Sequence, residues 1–211
     1  MKLILENWRN YLLTEAAMGP QDLPDNVYVT IREGESTTVH YADYLGRRLV
    51  PDKGAGIYGY VEFELMDPGR GFGPCLGAYM VIGSLAAHGW GPMLYDVAME
   101  VAGDRGLMAD RQSLSKDAFN VWQVYMSRDD VQKKQMDDER NTLTPDEEDN
   151  CEMDTAIQRS GLTTKDLFSS EWSDEDTAEL LKDSPVMKVY TKGEGTIDKL
   201  EKMKPSRLIR R

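Results

Sequence analysis

The sequence predicts an α+β or α/β fold: one mixed, mostly antiparallel sheet flanked by helices. The prediction rests on a change of period along the chain. Apolar residues alternate with polar ones before residue 83, as in strands, and then recur at helical spacing after Gly91. A short strand, a second helix and a late strand follow, which is the order of elements in a sheet covered by helices.

Four segments in the first part of the chain are predicted to be strands. "VYVTI" (27–31) places Val27, Val29 and Ile31 on one face, and "TTVHY" pairs back on it as a hairpin. In "IYGYVEFELM" (57–66) the apolar side chains share a face, while Glu62 and Glu64 point the other way. "CLGAYMVIG" (75–83) is apolar on both faces, as in a central strand.

Two amphipathic helices are expected next. "GPMLYDVAMEVAGDRG" begins at Gly91 with Pro92 in its first turn. "LMAD" is a short strand, and "SLSKDAFNVWQVYMSR" is the second helix, with Ser115 as its N-cap. "SSEWSDEDTAELLKD" is predicted to be a capped helix, and "PVMKVYTK" (185–192) is predicted to be the last strand.

Composition limits the class of protein. The apolar runs are far too short for a membrane span, so we expect a soluble protein that does not bind a membrane. The net charge of −12 argues against nucleic-acid binding. Two cysteines are too few for a disulfide framework, which fits a reducing cytoplasm. With only two histidines we expect no metal site, and the acidic stretch "TPDEEDNCEMD" lacks the spacing of a calcium loop.

The charge is unevenly distributed. Between Asp129 and Asp183 there are 18 acidic and 6 basic side chains, an excess equal to the whole net charge. The tail after Lys199 is basic. Two interpretations are open: both segments are solvated surface, or the tail folds back on the acidic segment or docks on a partner.

"GSLAAHGWGPMLYDVAMEVA" is the best candidate for chemistry. A strand ends, glycines permit unusual backbone angles, and a helix begins at once. Unpaired N–H groups and the helix dipole at such a junction suit a phosphate or another anion. The alternative is that Gly89 and Gly91 only make a tight turn.

The succession of central strand, G-x-G turn, helix, short strand and "SLSKDAFNVWQVY" resembles the GNAT family of acyl-CoA-dependent N-acyltransferases, over about residues 57–126. Gly89 and Gly91 match the glycines of the family's turn, whereas Ala86 stands where the family has Gln or Arg. Ala118 matches the later family pattern. Trp122 replaces a tyrosine that often protonates the leaving thiolate, and Tyr125, one turn further on, is a substitute.

The resemblance implies direct acyl transfer from acetyl-CoA to an amine on a small molecule or a protein. Catalytic candidates are Tyr125, with Glu62 and Glu64 as the bases to test first. The candidate cofactor-binding residues are those of the turn and the second helix N-cap: His88, Gly89, Trp90, Gly91, Met93, Leu94 and Ser115. The thioester would lie between splayed central strands, where backbone N–H groups polarise its carbonyl.

The opening "MKLILENWRNYLLTEAAMG" resembles N-terminal segments of proteins of large tailed bacteriophages, including internal head proteins. A prohead protease of that group cuts after Leu or Ile, any residue, and Glu, and Leu13-Thr14-Glu15 before Ala16 fits. Ile31-Arg32-Glu33 before Gly34 also fits, but there the cut would fall in a predicted strand. The alternative is an ordinary first helix.

Two functions are therefore open: a phage-encoded N-acetyltransferase, and a non-catalytic virion or internal head protein that keeps a GNAT-like fold. The expected location is the host cytoplasm, with packaging into the virion head and a phage head or prohead protease partner under the second function. The predicted segments are a targeting or removable segment (1–15), a linker (16–26), an acyltransferase-like core (27–128), an acidic helical insertion (129–184), a late core strand (185–192) and a basic tail (193–211).

Overall fold

The described strands of the chain form one mixed sheet. The computed structural model describes residues 17–51, 56–67, 69, 71–139, 141–153, 178–179, 181–193 and 195–211. The strands are β1 (Tyr28–Arg32), β2 (Thr37–Ala42), β3 (Gly59–Leu65), β4 (Tyr79–Ala86), β5 (Leu107–Ala109), β6 (Val131–Gln135), β7 (Lys188–Lys192) and β8 (Leu208–Arg210). Their order across the sheet is β6-β7-β5-β4-β3-β2-β1-β8.

Three helices have defined bounds within the described residues: α1 (Gly91–Ala102), α2 (Lys116–Ser127) and α3 (Thr196–Lys202). The sheet contains antiparallel pairs, such as β1 with β2, and parallel pairs, such as β4 with β5. A mixed sheet combined with helices confirms the predicted fold class in its α+β form.

The chain forms two compact units. The first contains the residues up to Glu64 together with Gly83–Val101 and Lys192–Arg211. The second contains Leu65–Ile82 and Ala102–Thr191.

In the first unit, β1, β2 and β3 form an antiparallel meander whose two faces differ. Val29, Val39, Val61 and Phe63 are at most 1% exposed and lie on one face. Glu62 and Glu64 alternate with them and are half-buried on the other face. This is the alternation that the sequence predicts for these strands. Leu65 differs, because it is exposed at the end of β3.

In the second unit, β4 and β5 pair in parallel over Tyr79–Val81 and Leu107–Ala109. Helix α2 begins as predicted: the Ser115 Oγ accepts a hydrogen bond from the Ala118 N–H at 3.2 Å. Its buried Trp122 stacks on Tyr190 of β7, with ring centroids 5.1 Å apart.

Cys75 and Cys151 form a disulfide across 76 positions of sequence. Both are buried in a cluster rich in methionine. Two cysteines were expected to be too few for a disulfide framework, yet the structure contains this one bond, because the number of cysteines says nothing about which distant residues the fold brings into contact.

Strand β4 begins later than predicted. Residues Cys75–Gly77 form a 3₁₀ turn, and Cys75 and Leu76 have φ values of 43° and 55°. The Cys75 N–H donates to the Asn150 carbonyl at 3.0 Å. The apolar composition of "CLGAYMVIG" therefore reflects burial in this cluster at its start and a strand only from Tyr79.

The acidic segment, predicted to be helical, contains a strand. β6 is next to β7 at one edge of the sheet, and Val131 is its one buried side chain. A strand of mainly polar residues is typical of a sheet edge, and its alternation is hard to detect in sequence. Most of the predicted helix "SSEWSDEDTAELLKD" lies outside the described residues.

The basic tail forms part of the first unit. β8 pairs in parallel with β1, and α3 precedes it. The buried Arg207 donates to the Pro24 carbonyl at 3.2 Å and pairs with the Asp25 carboxylate at 2.9 Å. The interpretation of the tail as solvated surface is therefore wrong for this part, because Leu208 and Ile209 belong to strand β8 of the sheet. Two apolar residues are too few to show this in sequence.

Candidate functional site

A tight turn joins β4 to α1 in the first unit. Gly89 has φ +79°, a conformation that side chains with a Cβ rarely adopt. The Ala87 N–H donates to the Tyr58 carbonyl at 2.9 Å, and the Trp90 N–H donates to the Ala87 carbonyl at 3.0 Å. The turn is therefore fixed at both ends before the helix begins at Gly91.

A pair of aromatic side chains holds this turn in place. The rings of Tyr41 and Trp90 meet edge to face, with centroids 5.6 Å apart. The Tyr41 hydroxyl donates to the Trp90 carbonyl at 2.6 Å. Burial raises the pKa of Tyr41 well above its ordinary value, so the hydroxyl stays protonated and remains a donor. Trp90 is 7% exposed and thus supports the turn through its side chain.

The first turn of α1 presents backbone donors. Within the part of the chain that the structure describes, the N–H groups of Gly91 and Met93 have no acceptor. They lie in the first three positions of the helix, which have no intrahelical acceptor, whereas the Leu94 N–H is the first that faces a carbonyl four residues earlier, and Pro92 has no N–H. The first turn contains no acidic residue. Two donors and the positive end of the helix dipole therefore face one region.

Two glycines of this region differ in the space around them. A Cβ at Gly59 of β3 would lie 2.9 Å from both the Ala86 Cβ and the Leu94 Cδ1, and 3.0 Å from the Leu85 carbonyl oxygen. Gly59 thus allows α1 to approach the sheet closely. At Gly91 a Cβ would contact only the Ala86 Cβ, at 3.6 Å, which is an ordinary distance.

The turn brings together six of the predicted cofactor-binding residues. The side chains of Met93 and Leu94 are buried, so these residues can contact a ligand only through their backbone. His88 is exposed and is the side chain of the turn that can reach a ligand.

The two predicted bases lie elsewhere on the sheet. α1 packs on the face of β3 that contains Gly59, so Glu62 and Glu64 lie on the opposite face. The Ser36 hydroxyl donates to Glu62 Oε1 at 2.6 Å, which fixes that carboxylate. The structure therefore orients Glu62 but does not bring it onto the face of the N–H donors.

The remaining predicted residues belong to the second unit. Ser115 uses its Oγ as the N-cap of α2. Tyr125 is fully buried, and its ring lies 6.3 Å from that of Trp122 and 6.4 Å from that of Tyr190. Tyr125 thus forms part of an aromatic core.

Two expectations concern other segments. The predicted processing residues Leu13, Glu15 and Ala16 lie outside the described residues. Ile31 and Arg32, which carry the second match to the protease rule, are in β1 as expected.

Among the described residues, no group of three His, Cys, Asp or Glu side chains could hold a metal ion.

Sequence reasoning missed Tyr41 and a group of arginines. Tyr41 looked like an ordinary strand residue in "TTVHY", and its partner Trp90 is 49 positions away. Arg48 lies over the ring of Tyr60, with its Cζ 3.6 Å from the centroid. No local pattern links residues so far apart in sequence.

Comparisons of the chain with protein-family models, with curated proteins and with solved structures found no match. None of the described helices combines the length and apolar character needed to cross a membrane.

Proposed function

We propose that the protein is an acyl-CoA-dependent N-acyltransferase that moves an acetyl group from acetyl-CoA to an amine. The observation that supports this most is the anchored turn between β4 and α1, with the free N–H groups of Gly91 and Met93. Such a turn suits the pyrophosphate of CoA, because fixed donors meet the positive end of a 12-residue helix. The elements around the turn follow the order on which the GNAT resemblance rests.

In this proposal the pyrophosphate binds the backbone around Gly89–Leu94, and the exposed His88 contacts a phosphate. The amine nitrogen attacks the thioester carbonyl carbon, and the carbon–sulfur bond breaks as the amide forms. Glu62 or Glu64 takes the proton lost by the amine, directly or through water. The CoA thiolate leaves and takes a proton from water.

Thermal unfolding with CoA tests the binding step. Ligand at 100 times its dissociation constant stabilises a protein by about 2.7 kcal/mol. We expect a clear rise in Tm with millimolar CoA or acetyl-CoA. Absence of any rise would contradict the proposal.

A variant at Gly91 tests the location of the CoA site. The space around Gly91 is open except toward Ala86, so Gly91→Leu should fold while its side chain covers the donors. We expect this variant to lose the Tm rise. Gly193→Leu is the matched control, because a Cβ at Gly193 meets no atom within 4 Å. Gly193→Leu should keep the rise.

A second function is favoured by the aromatic core of the second unit. Trp122 occupies the position of the family's tyrosine, and Tyr125 is fully buried in ring contacts. A buried, packed tyrosine suits a non-catalytic virion or internal head protein that retains the fold. Such a protein would be made in the host cytoplasm and packaged in the phage head after cleavage by a prohead protease.

Mass spectrometry of purified virions distinguishes the second function. A packaged and processed protein should begin at Ala16. If virions contain it with Met1 or Lys2 at its start, the processing hypothesis is wrong. If it is absent from virions and transfers acetyl groups, the enzyme is the better description.

A further inference from the structure

One face of β1, β2 and β3 contains aligned polar side chains. In the antiparallel registers Arg32 is opposite Thr38, and Thr38 is opposite Glu62. The neighbouring row contains Thr30, His40 and Tyr60. Directly opposite residues share a face, and this is the face away from α1. Arg32 and Glu62 are therefore two strands apart on one surface, about 10 Å across.

Two more arginines reach this surface from other segments. The Arg48 guanidinium lies over the Tyr60 ring at 3.6 Å, within the β2–β3 connection. Arg211 follows β8 and donates to the Leu45 carbonyl. A Cβ at Gly46 would be 2.7 Å from the Arg211 Cζ, so the guanidinium lies directly across Gly46.

These three arginines have no ion-pair partner among the described residues. Arg32, Arg48 and Arg211 form no salt bridge there, whereas Arg47 pairs with Asp43 at 2.8 Å. Arginines without an ion-pair partner are notable in a chain with net charge −12. They form a local positive region that favours an anion.

A buried histidine lies among these arginines. His40 is 6% exposed, and its Nδ1 has no hydrogen-bond partner. Burial lowers the pKa of His40 most, followed by the charge of Arg48, and the charges of Arg32 and Arg211 lower it further. A hydrogen bond to the Gly46 backbone acts in the opposite direction and raises the pKa. The three guanidinium groups therefore act on the same imidazole, although they come from separate parts of the sequence.

We propose that Arg32, Arg48 and Arg211 bind the phosphate or carboxylate group of a small zwitterionic amine, which is the acyl acceptor. A guanidinium presents two parallel donors that match either oxyanion. The carboxylates of Glu62 and Glu64 on the same face suit the positively charged end of that molecule. The role as acceptor rests on the proposed acyl transfer, whereas the binding of the anion does not.

NMR titration tests anion binding without any catalysis. The chain has two histidines, so the His88→Gln variant assigns the imidazole signals of His40. We expect inorganic phosphate and phosphoethanolamine to shift the His40 signals and to raise its pKa. Arg32→Gln should weaken this binding about tenfold, the typical effect of losing one hydrogen bond to a charged group.

Arg105→Gln is the matched control for charge, because Arg105 is exposed in the second unit. It should bind phosphate as the wild type does. His40 signals that do not respond to millimolar phosphate, or an equal loss in the Arg105 variant, would overturn the anion site.

Acetyl transfer to matched amines tests the acceptor. The pairs to compare are phosphoethanolamine with ethanolamine, and glycine with glycinamide. The pair with the larger ratio of kcat/KM, anionic over neutral amine, shows whether the arginines bind a phosphate or a carboxylate. The anionic member should have a kcat/KM about tenfold higher, and Arg32→Gln should remove that preference mainly through KM.

The outcomes separate the two proposals. Equal transfer to charged and neutral amines would overturn the acceptor assignment and leave acyl transfer intact. No CoA-dependent Tm rise and no transfer to any amine would overturn the acyltransferase, while the His40 titration would still decide whether the arginines bind an anion.

Discussion

Replacing Glu100 by Gln should strongly destabilise the first unit. The Glu100 carboxylate is fully buried at the C-terminal half of α1. It accepts hydrogen bonds from Lys192 Nζ at 2.6 Å, the Thr196 N–H at 2.7 Å and the Ile197 N–H at 2.8 Å. One side chain thus neutralises a lysine that is 9% exposed and also caps the start of α3.

The magnitude follows from what Gln cannot replace. Its amide oxygen can keep the hydrogen bonds from Lys192 and Thr196, but its NH₂ group cannot accept from the Ile197 N–H. The Lys192 ammonium also loses its counter-charge. Removing one partner of a buried ion pair costs about 3–5 kcal/mol. For a chain of 211 residues this corresponds to a drop in Tm of about 10 °C.

Urea denaturation followed by circular dichroism measures this loss. Asp198→Asn is the matched control, because Asp198 pairs with Lys202 on the surface of α3, with side chains 49% and 76% exposed. That variant should lose at most about 1 kcal/mol. If Glu100→Gln loses no more than Asp198→Asn, the buried carboxylate does not have the role described.

The stability difference between the wild type and Glu100→Gln should also depend on pH. Burial alone would raise the pKa of Glu100, but the hydrogen bonds from Lys192, Ile197 and Thr196 outweigh it, and the pKa is lowered. A lowered pKa stabilises the fold above the unfolded value, about 4.3, and this contribution is lost as the pH falls through the folded value. The difference between wild type and Glu100→Gln should therefore be constant near neutral pH and shrink below about pH 4.

Three further variants test other contacts. Tyr41→Phe removes the donor to the Trp90 carbonyl and should cost about 1 kcal/mol in urea denaturation, with a smaller CoA-induced Tm rise; an unchanged rise would show that the turn does not need this bond. Gly59→Ala should destabilise by about 1–3 kcal/mol, because its Cβ would overlap Ala86 and Leu94, whereas Gly91→Ala should be nearly neutral; equal effects would contradict the packing described. The Cys75→Ser, Cys151→Ser double variant should lose about 4 kcal/mol of unfolding free energy, since the disulfide closes a loop of 76 positions. If this variant and the wild type have the same Tm under non-reducing conditions, the bond does not form.

Much of the fold could be predicted because its signals are local. The alternation in "YVEFEL" and the Ser115 cap depend on residues a few positions apart, and both appear in the structure as expected. The turn at Gly89 was also visible, because a glycine between a strand and a helix marks a change of backbone direction. The polar strand β6 was missed, since an edge strand lacks the apolar alternation on which detection depends.

The sequence by itself determined the class of fold, the position of the turn and the two faces of β3. Only the tertiary structure decided which distant residues meet, such as Cys75 with Cys151 and Glu100 with Lys192, and which arginines lie near the sheet face that contains His40. The physical reason is that helical and strand periods arise from neighbouring residues, whereas these contacts arise from packing between segments far apart in the chain. The candidate anion donors at Gly91 could therefore be predicted from the sequence. The arginines proposed to bind the acceptor could be identified only from the tertiary structure.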